Sequence, residues 1–398
     1  QATGIRGVHL VDEAAPLSSL LELAMLNKCA GLPLYFWGNI RFEKDFTPDV
    51  AALLAEGGLV GVSGGIEVAS ETGFKRIGKG IGLKDVVQAC AAFKEAGILT
   101  HAYLIYGYWD QDEQEIIDAA ELMRQLFAAQ LLDSAFWHKF VLTRHSRIYR
   151  EYQRGKHREL RIIDRNSASS DDLFADNDLS FEGETDFDRF TEPLDRLLAQ
   201  WMHGNTEFPV FRAIPGSKTR PRIPLDHIEK LIESYIEDKE AEYSTISQGT
   251  CAIFVGSRPW IHESNGTTEL RWHWKHQEWT LRFSYTPTKP QHTSLPAYCT
   301  DDYTMVLETD TQRSPRRAEQ LRILIDRCSL HTAALNHQCT VQPLFLAGLP
   351  SAEDLFKRLH TEWETSRETT LHVWTFLRTA GLLLIRRPGQ PLVESPVR

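Results

Sequence analysis

The chain of 398 residues is short of clustered cysteine, of excess positive charge and of long apolar runs, and each shortage removes a class of protein. Its six cysteines, Cys29, Cys90, Cys251, Cys299, Cys328 and Cys339, are scattered, so no disulfide framework is expected, and they read as reduced thiols of a cytoplasmic protein. With 44 Lys and Arg against 54 Asp and Glu, the net charge is −10, spread thinly along the chain. That excludes a basic coat for nucleic acid, and no nucleic-acid partner is expected. No apolar run approaches the roughly 18–20 residues of a membrane span and no charged-then-apolar leader opens the chain, so no membrane partner is expected either. An initiator methionine is also missing: the sequence starts at Gln1, inside a repeating pattern, and reads as a fragment.

What is present is ordinary globular material, 42% hydrophobic and 25% charged, enough for two or three domains at about 100–200 residues each. Over the first 150 residues short β-like runs alternate with amphipathic stretches, the pattern of parallel strands joined by crossover helices. Strands are expected at Gly7–Val11, Leu34–Trp37, Leu59–Val62, Leu99–Ile105 and Ala135–Leu142. Helices are expected at Leu17–Leu26, Pro48–Ala55, Lys84–Glu95 and Glu113–Phe127. The third carries Val86, Val87, Cys90, Phe93 and Lys94 as a stripe before the stop signal Gly97. This succession is an α/β fold, half or more of a barrel. Polar residues recur where strands meet the following loops: Asp12 and Glu13, Asn39 and Arg41, Glu67, Tyr106 and Tyr108, Arg144 and His145. In α/β barrels the carboxyl ends of strands build the site, so such residues converge there. Loops are polar anyway, but the repetition at successive strand ends favours function.

Further on, residues 154–183 turn polar and irregular, with the acidic loop Asp171, Asp172, Asp176 and Asp178; it lacks the spacing of a calcium loop and reads as solvated linker. Helices are expected at Phe187–Met202 and Leu225–Tyr243, and Gly216-Ser217-Lys218-Thr219 between them lacks the earlier Gly and the strand of a phosphate loop. Cys251–Val255, Glu269–Lys275 and Glu278–Tyr285 read as strands, the last two forming a hairpin around His276 and Gln277. Their Trp272, Trp274 and Trp279 fit one face of a small sheet packed on a helix better than a ligand platform. A helix over Pro315–His331 aligns Cys328 with His331, but with His337 and Cys339 the spacing matches no standard zinc motif, and a buried cysteine is the plainer reading. The end reads helix (Ala352–Glu362), helix (Arg367–Thr379), strand (Leu382–Ile385), a winged-helix-like module whose few basic residues suit peptide or protein contact. The expected units are a barrel region 1–150, a polar linker with helices 151–245, a small α+β region 246–345 and the module 346–398.

The most informative segment is Gly64-Gly65-Ile66-Glu67-Val68-Ala69-Ser70-Glu71. Paired glycines at a strand end let backbone approach a ligand, while Glu67 and Ser70 offer polar contacts to an amine or ribose hydroxyls. It is followed in order by Lys79-Gly80, Ala96-Gly97-Ile98 and Ala102-Tyr103-Leu104-Ile105-Tyr106-Gly107-Tyr108. Preceding it are Val8-His9-Leu10-Val11-Asp12-Glu13 and Trp37-Gly38-Asn39-Ile40-Arg41. This ordered set resembles the radical S-adenosylmethionine enzymes, over roughly residues 1–150. The resemblance implies a partial (β/α)6 TIM-like barrel followed by a mixed α+β C-terminal extension. It implies S-adenosylmethionine and a 4Fe-4S cluster as cofactors, the cluster reducing the sulfonium to release a 5′-deoxyadenosyl radical that attacks an unknown substrate, a peptide being one reading, with a reductase or flavodoxin-type protein as electron donor. By resemblance Gly65, Glu67, Ser70, Ile105 and Gly107 lie against the cofactor nucleoside. Asp12, Glu13, Arg41, Tyr106, Tyr108 and His138 are substrate-side candidates by strand-end position. Many relatives carry an upstream cobalamin-binding domain, so cobalamin stays open as a further cofactor.

The departures count too. The family's C-x3-C-x2-C cluster ligands are nowhere in this chain, and three thiolates cannot be replaced by none. Because the readable pattern starts at the family's second strand, truncation is the simplest reading, with a cluster-free barrel serving as a peptide- or protein-binding scaffold as the alternative. Trp109 stands where relatives often place Pro, which bears on the loop beside the adenine. A barrel hydrolase or lyase using Asp12, Glu13 and Glu67 would need carboxylates with separated pKa values, and no such pair is legible. Reconstituted with iron and sulfide, the chain is expected to form no 5′-deoxyadenosine from S-adenosylmethionine; product detected by liquid chromatography overturns that.

Overall fold

The computed structural model describes residues 4–67, 80–163, 177–243, 249–265, 267–284, 297–308, 313–329, 349–363 and 366–386. Strands β1 (Gly7–Leu10), β2 (Tyr35–Ile40), β3 (Leu59–Glu67), β4 (Leu99–Tyr106) and β5 (Ser134–Lys139) pair in parallel in the order of the sequence. Between them run α1 (Leu17–Cys29), α2 (Pro48–Glu56), α3 (Leu83–Ala96) and α4 (Glu113–Ala128). Thr47 caps α2 by accepting from Val50 N at 3.3 Å, and Pro48 presets its first turn. In α3 the stripe Val86, Val87, Cys90 and Phe93 is buried, while Lys94 lies outside it and reaches Asp133 at 3.4 Å. The left-handed Gly97 (φ +76) ends that helix.

Right-handed crossovers that always advance one strand in the same direction put every connecting helix on one side of the sheet. Burial follows that rule: along β4, Thr100, Ala102, Leu104 and Tyr106 are buried, whereas Leu99, His101, Tyr103 and Ile105 are not. The sheet therefore has a helix-covered face and an open face. Among the described residues it has two edges, β1 and β5, and does not close into a barrel.

The expected strand 135–142 is two elements. After β5 the chain turns at Phe140, and β6 (Leu142–Thr143) joins a small antiparallel sheet with β7 (Ile162–Ile163) and β8 (Asp178–Phe181), in the order β6-β8-β7. Leu142, Leu160, Leu179 and Phe181 bury together with Tyr108 and Phe140 in a separate apolar cluster. The described ends of the segment expected as linker are therefore ordered strands, because their apolar residues have a core to enter; Asp171, Asp172 and Asp176 lie outside the described residues. Next come α5 (Arg147–Gln153), α6 (Asp188–Met202), α7 (Val210–Ala213) and α8 (His227–Tyr243); α6 packs on β5 and α8 lies over α3 and α4.

Strands β9 (Thr250–Phe254) and β15 (Leu382–Arg386) pair antiparallel. A second, five-stranded sheet holds β10 (Trp260–Ser264), β11 (Thr267–Trp274), β12 (Gln277–Ser284), β14 (Thr304–Glu308) and β13 (Ala297–Asp301), in that spatial order. Helices α9 (Ser314–Cys328), α10 (Ala352–Trp363) and α11 (Arg367–Thr379) complete this part. Trp272 and Trp279 meet Phe376 of α11 edge-on at 6.1 and 5.6 Å, and Trp272 Nε1 donates to Ala380 O at 2.7 Å, so these indoles are packing. Cys328 is buried and donates to Leu324 O; His331, His337 and Cys339 lie outside the described residues. No helix among the described residues is long and apolar enough to cross a membrane.

The C-terminal strand does more than finish a module. Strand β15 packs against α2, and Leu384 N donates to Asp49 Oδ2 at 2.7 Å. The same oxygen meets Arg378 Nη1 at 2.6 Å, with both side chains fully buried, and Nη1 also donates to Leu382 O. The Arg378 guanidinium lies over the Tyr243 ring at 4.6 Å. Removing one partner of such a pair strands a charge in the core. Arg378→Met should therefore lower stability in urea unfolding by about 3–5 kcal/mol, and Asp49→Leu combined with it should recover a large part of that loss. A single variant within about 0.5 kcal/mol of the parent, the range of an ordinary surface change, contradicts this account.

Candidate functional site

The open face of the parallel sheet carries a row of aromatic rings. His9 and Trp37 stack at 5.1 Å with planes 10° apart, Tyr103 lies between His101 (4.7 Å) and His138 (5.9 Å), and Phe136 meets His138 at 4.5 Å. Period-two alternation places them there, since each sits on the side of its strand opposite the buried residues. Trp37 on β2 stays 41% exposed and Phe136 on the edge strand β5 50%. Flat rings with accessible faces can stack a planar ligand. His101 adds a polar group: its Nδ1 lies 2.8 Å from Ser134 Oγ. Burial first, and the nearby His138 second, hold His101 below the usual imidazole pKa, so it favours the neutral form.

At the carboxyl tips the chain is held in specific shapes. Strand β3 has an irregular register between Gly65 and Glu67, where two residues of one strand face the step from Tyr103 to Leu104 of the other. Glu67 then ends the strand half-buried with φ +59, a left-handed conformation that a residue with a side chain adopts at a cost. Across from it, Ile105 lies on the open face of β4, and Gly107 (φ +87) follows, buried, its N–H donating to Gln111 Oε1 at 2.6 Å. A Cβ on Gly107 would come 3.3 Å from Phe187. Asp12 and Glu13 are exposed beyond β1; the Asp12 carbonyl accepts from Asn39 Nδ2 at 3.2 Å. Arg41 is exposed beside Glu43 at 3.2 Å.

The structure thus brings Gly65, Glu67, Ile105 and Gly107 to neighbouring tips of β3 and β4 and puts His138 on the same face of the sheet, while Asp12, Glu13 and Arg41 line the tips of β1 and β2. Ser70 lies outside the described residues. Two candidates point elsewhere. Tyr106 is buried on the helix-covered side, its hydroxyl 2.7 Å from Thr191 Oγ1 and its ring edge-on to Trp137; burial raises its pKa against the opposing Thr191 contact. Tyr108 is buried in the separate cluster, stacked on Phe140 at 4.4 Å. Strand-end position alone does not separate the two faces. Parity does, and would have replaced Tyr106 with His101, Tyr103 and Phe136.

A 4Fe-4S cluster does not fit these residues. Among the described residues no three His, Cys, Asp or Glu side chains converge as a metal-binding group. Of the cysteines, Cys90, Cys251 and Cys328 are buried. Desolvation raises the Cys90 thiol and pushes Cys328 up to about 12, away from the thiolate that iron needs.

No protein-family profile matches the chain, and no curated protein matches it. Among solved structures it is similar to the radical S-adenosylmethionine methyltransferase TsrM from Kitasatospora setae with cobalamin and a [4Fe-4S] cluster bound, at 21% identity and TM-score 0.29, over 36% of this chain and 29% of that one. A TsrM structure with tryptophan substrate and the S-adenosylmethionine analogue aza-SAM bound is matched at 15% identity and TM-score 0.35, over 56% and 50% of the two chains. The archaeal Methanocaldococcus infernus Elp3 lacking residues 1–46 is matched at 11% identity and TM-score 0.29, over 84% and 89%. The chain spans half or less of the length of the TsrM chains.

The backbone at Glu67 and Gly107 gives opposite expectations. Glu67→Gly should raise the thermal unfolding midpoint, because glycine relieves about 1–3 kcal/mol of left-handed strain against an entropy cost of about 1 kcal/mol. Gly107→Ala should lower it, since the added methyl meets both positive φ and Phe187. Equal midpoints for the two variants contradict the assignment.

Proposed function

We propose that this chain is the nucleoside- and substrate-facing part of a radical S-adenosylmethionine type barrel, the aromatic open face taking substrate and the tips of β3 and β4 taking S-adenosylmethionine. The observation that carries this reading is the bulged, left-handed tip at Gly65–Glu67 standing beside Ile105 and Gly107, on strands whose motifs follow in the family's order. A carboxylate at that tip accepts hydrogen bonds from an amine or a ribose diol, and the Gly65 backbone allows close approach. The rings of Trp37, Tyr103 and Phe136 offer stacking surface for a flat or apolar substrate. Neutral His101, held by Ser134, can donate or accept a hydrogen bond at the substrate edge without adding charge. Because no described residue set holds the iron cluster, these residues are assigned binding and orientation alone.

The reading is tested by calorimetric titration of S-adenosylmethionine into the full chain. Binding is expected, with Glu67→Gln weakening it by about 1–3 kcal/mol, roughly fivefold to 150-fold, as buried polar groups of the ligand lose a partner. An absence of binding, or equal affinity in the variant, sinks the proposal and leaves the scaffold reading.

A further inference from the structure

A cavity of about 810 Å³ lies at the opposite end of the sheet from these tips. Lys28 and Glu56 line it from the last turns of α1 and α2, which lead into the amino-terminal ends of β2 and β3. The other wall is built by the loop after β9, the β11–β12 hairpin and the end of α9. Its volume is in the range of small-molecule sites. Phe254 and Trp274 provide apolar lining.

Its charges do not balance. Glu56 is taken by Lys28 at 2.7 Å. Asp326 is taken by Arg322 at 2.9 Å and faces Arg258 at 3.7 Å. Both lining carboxylates are thus engaged, while Lys275 and His276 bring further donors to the cavity. Lys275 Nζ sits 4.7 Å from the Trp274 ring centroid and donates to a backbone carbonyl, Glu95 O, at 3.4 Å.

Lys275 and His276 are also the two turn residues of the hairpin, with φ +48 and +63. A two-residue turn of that shape favours Asn-Gly, since both positions are left-handed. Placing a lysine and a histidine there sacrifices turn stability and sets an ammonium and an imidazole at the cavity. Lys275 gains the Trp274 and Glu95 contacts in return, and His276 has no such contact among the described residues; anion capture accounts for both.

We propose that this cavity binds a small molecule bearing phosphate groups, gripped by Arg258, Lys275 and His276, with its organic part against Phe254 and Trp274. Arg258, Lys28 and Lys275 outnumber Glu56 and Asp326 by one positive charge on the cavity lining, and a guanidinium and an ammonium on one cavity suit an oxyanion. The site is separate from the open face and does not rest on its assignment.

The test is calorimetric titration of the full chain with sodium pyrophosphate, alongside sodium citrate as the carboxylate arm. Pyrophosphate should bind more tightly than citrate, and Lys275→Asn with His276→Gly should weaken it at least tenfold. Because Asn-Gly fits the turn, that variant should keep or raise its thermal midpoint, so lost binding cannot be laid to misfolding. Arg258→Gln, an exposed change, should weaken pyrophosphate severalfold. No pyrophosphate binding, citrate binding as tightly, or affinity unchanged in the turn variant overturns the proposal.

Discussion

Handedness is the constraint on which the parallel sheet depends. Five parallel strands laid side by side in sequence order, each joined to the next by a right-handed crossover, can have helices on one face only. Among the described residues no connecting helix covers the other face. Here it keeps Trp37 and Phe136 substantially exposed and carries two groups of rings, His9 with Trp37 and Tyr103 with His101 and His138, on either side of β3. Sheets of this kind are ordinarily buried on both faces, and the open aromatic side is the exception among the described residues.

Much of the architecture was legible because local signals agreed with one another. Thr47-Pro48 marks a helix start, Gly97 a helix stop, and the buried stripe of α3 has helical spacing. The Lys-His turn was placed one residue late because neither residue advertises a left-handed turn. Strands β10, β13 and β14 escaped notice; β10, at a sheet edge, is nearly all exposed and shows little apolar alternation. At the candidate site, residues at strand tips were readable from punctuation by glycine, but side was not: Tyr106 and His101 are on the same strand and face opposite ways. The pairing of Asp49 with Arg378 had no local signature at all, being a contact between elements at the two ends of the chain.

The two regions proposed to take ligands lie at opposite ends of the same strands. Toward the carboxyl tips the chemistry is that of shape and stacking, with a bulge, two left-handed residues and a row of rings. Toward the amino-terminal ends it is that of charge, with cations gathered around engaged carboxylates. Helices α1 and α2 run between the two ends.

The buried Asp49 has one more consequence, for how the protein is made. Its partners Arg378 and Leu384 are synthesised much later, the latter 335 residues on, so a nascent chain on the ribosome carries a carboxylate destined for the core before these partners exist. At about 5–20 residues per second that interval is on the order of tens of seconds. Helix α2 can gain this partner only after most of the intervening chain has emerged, which makes β15 a late latch on α2.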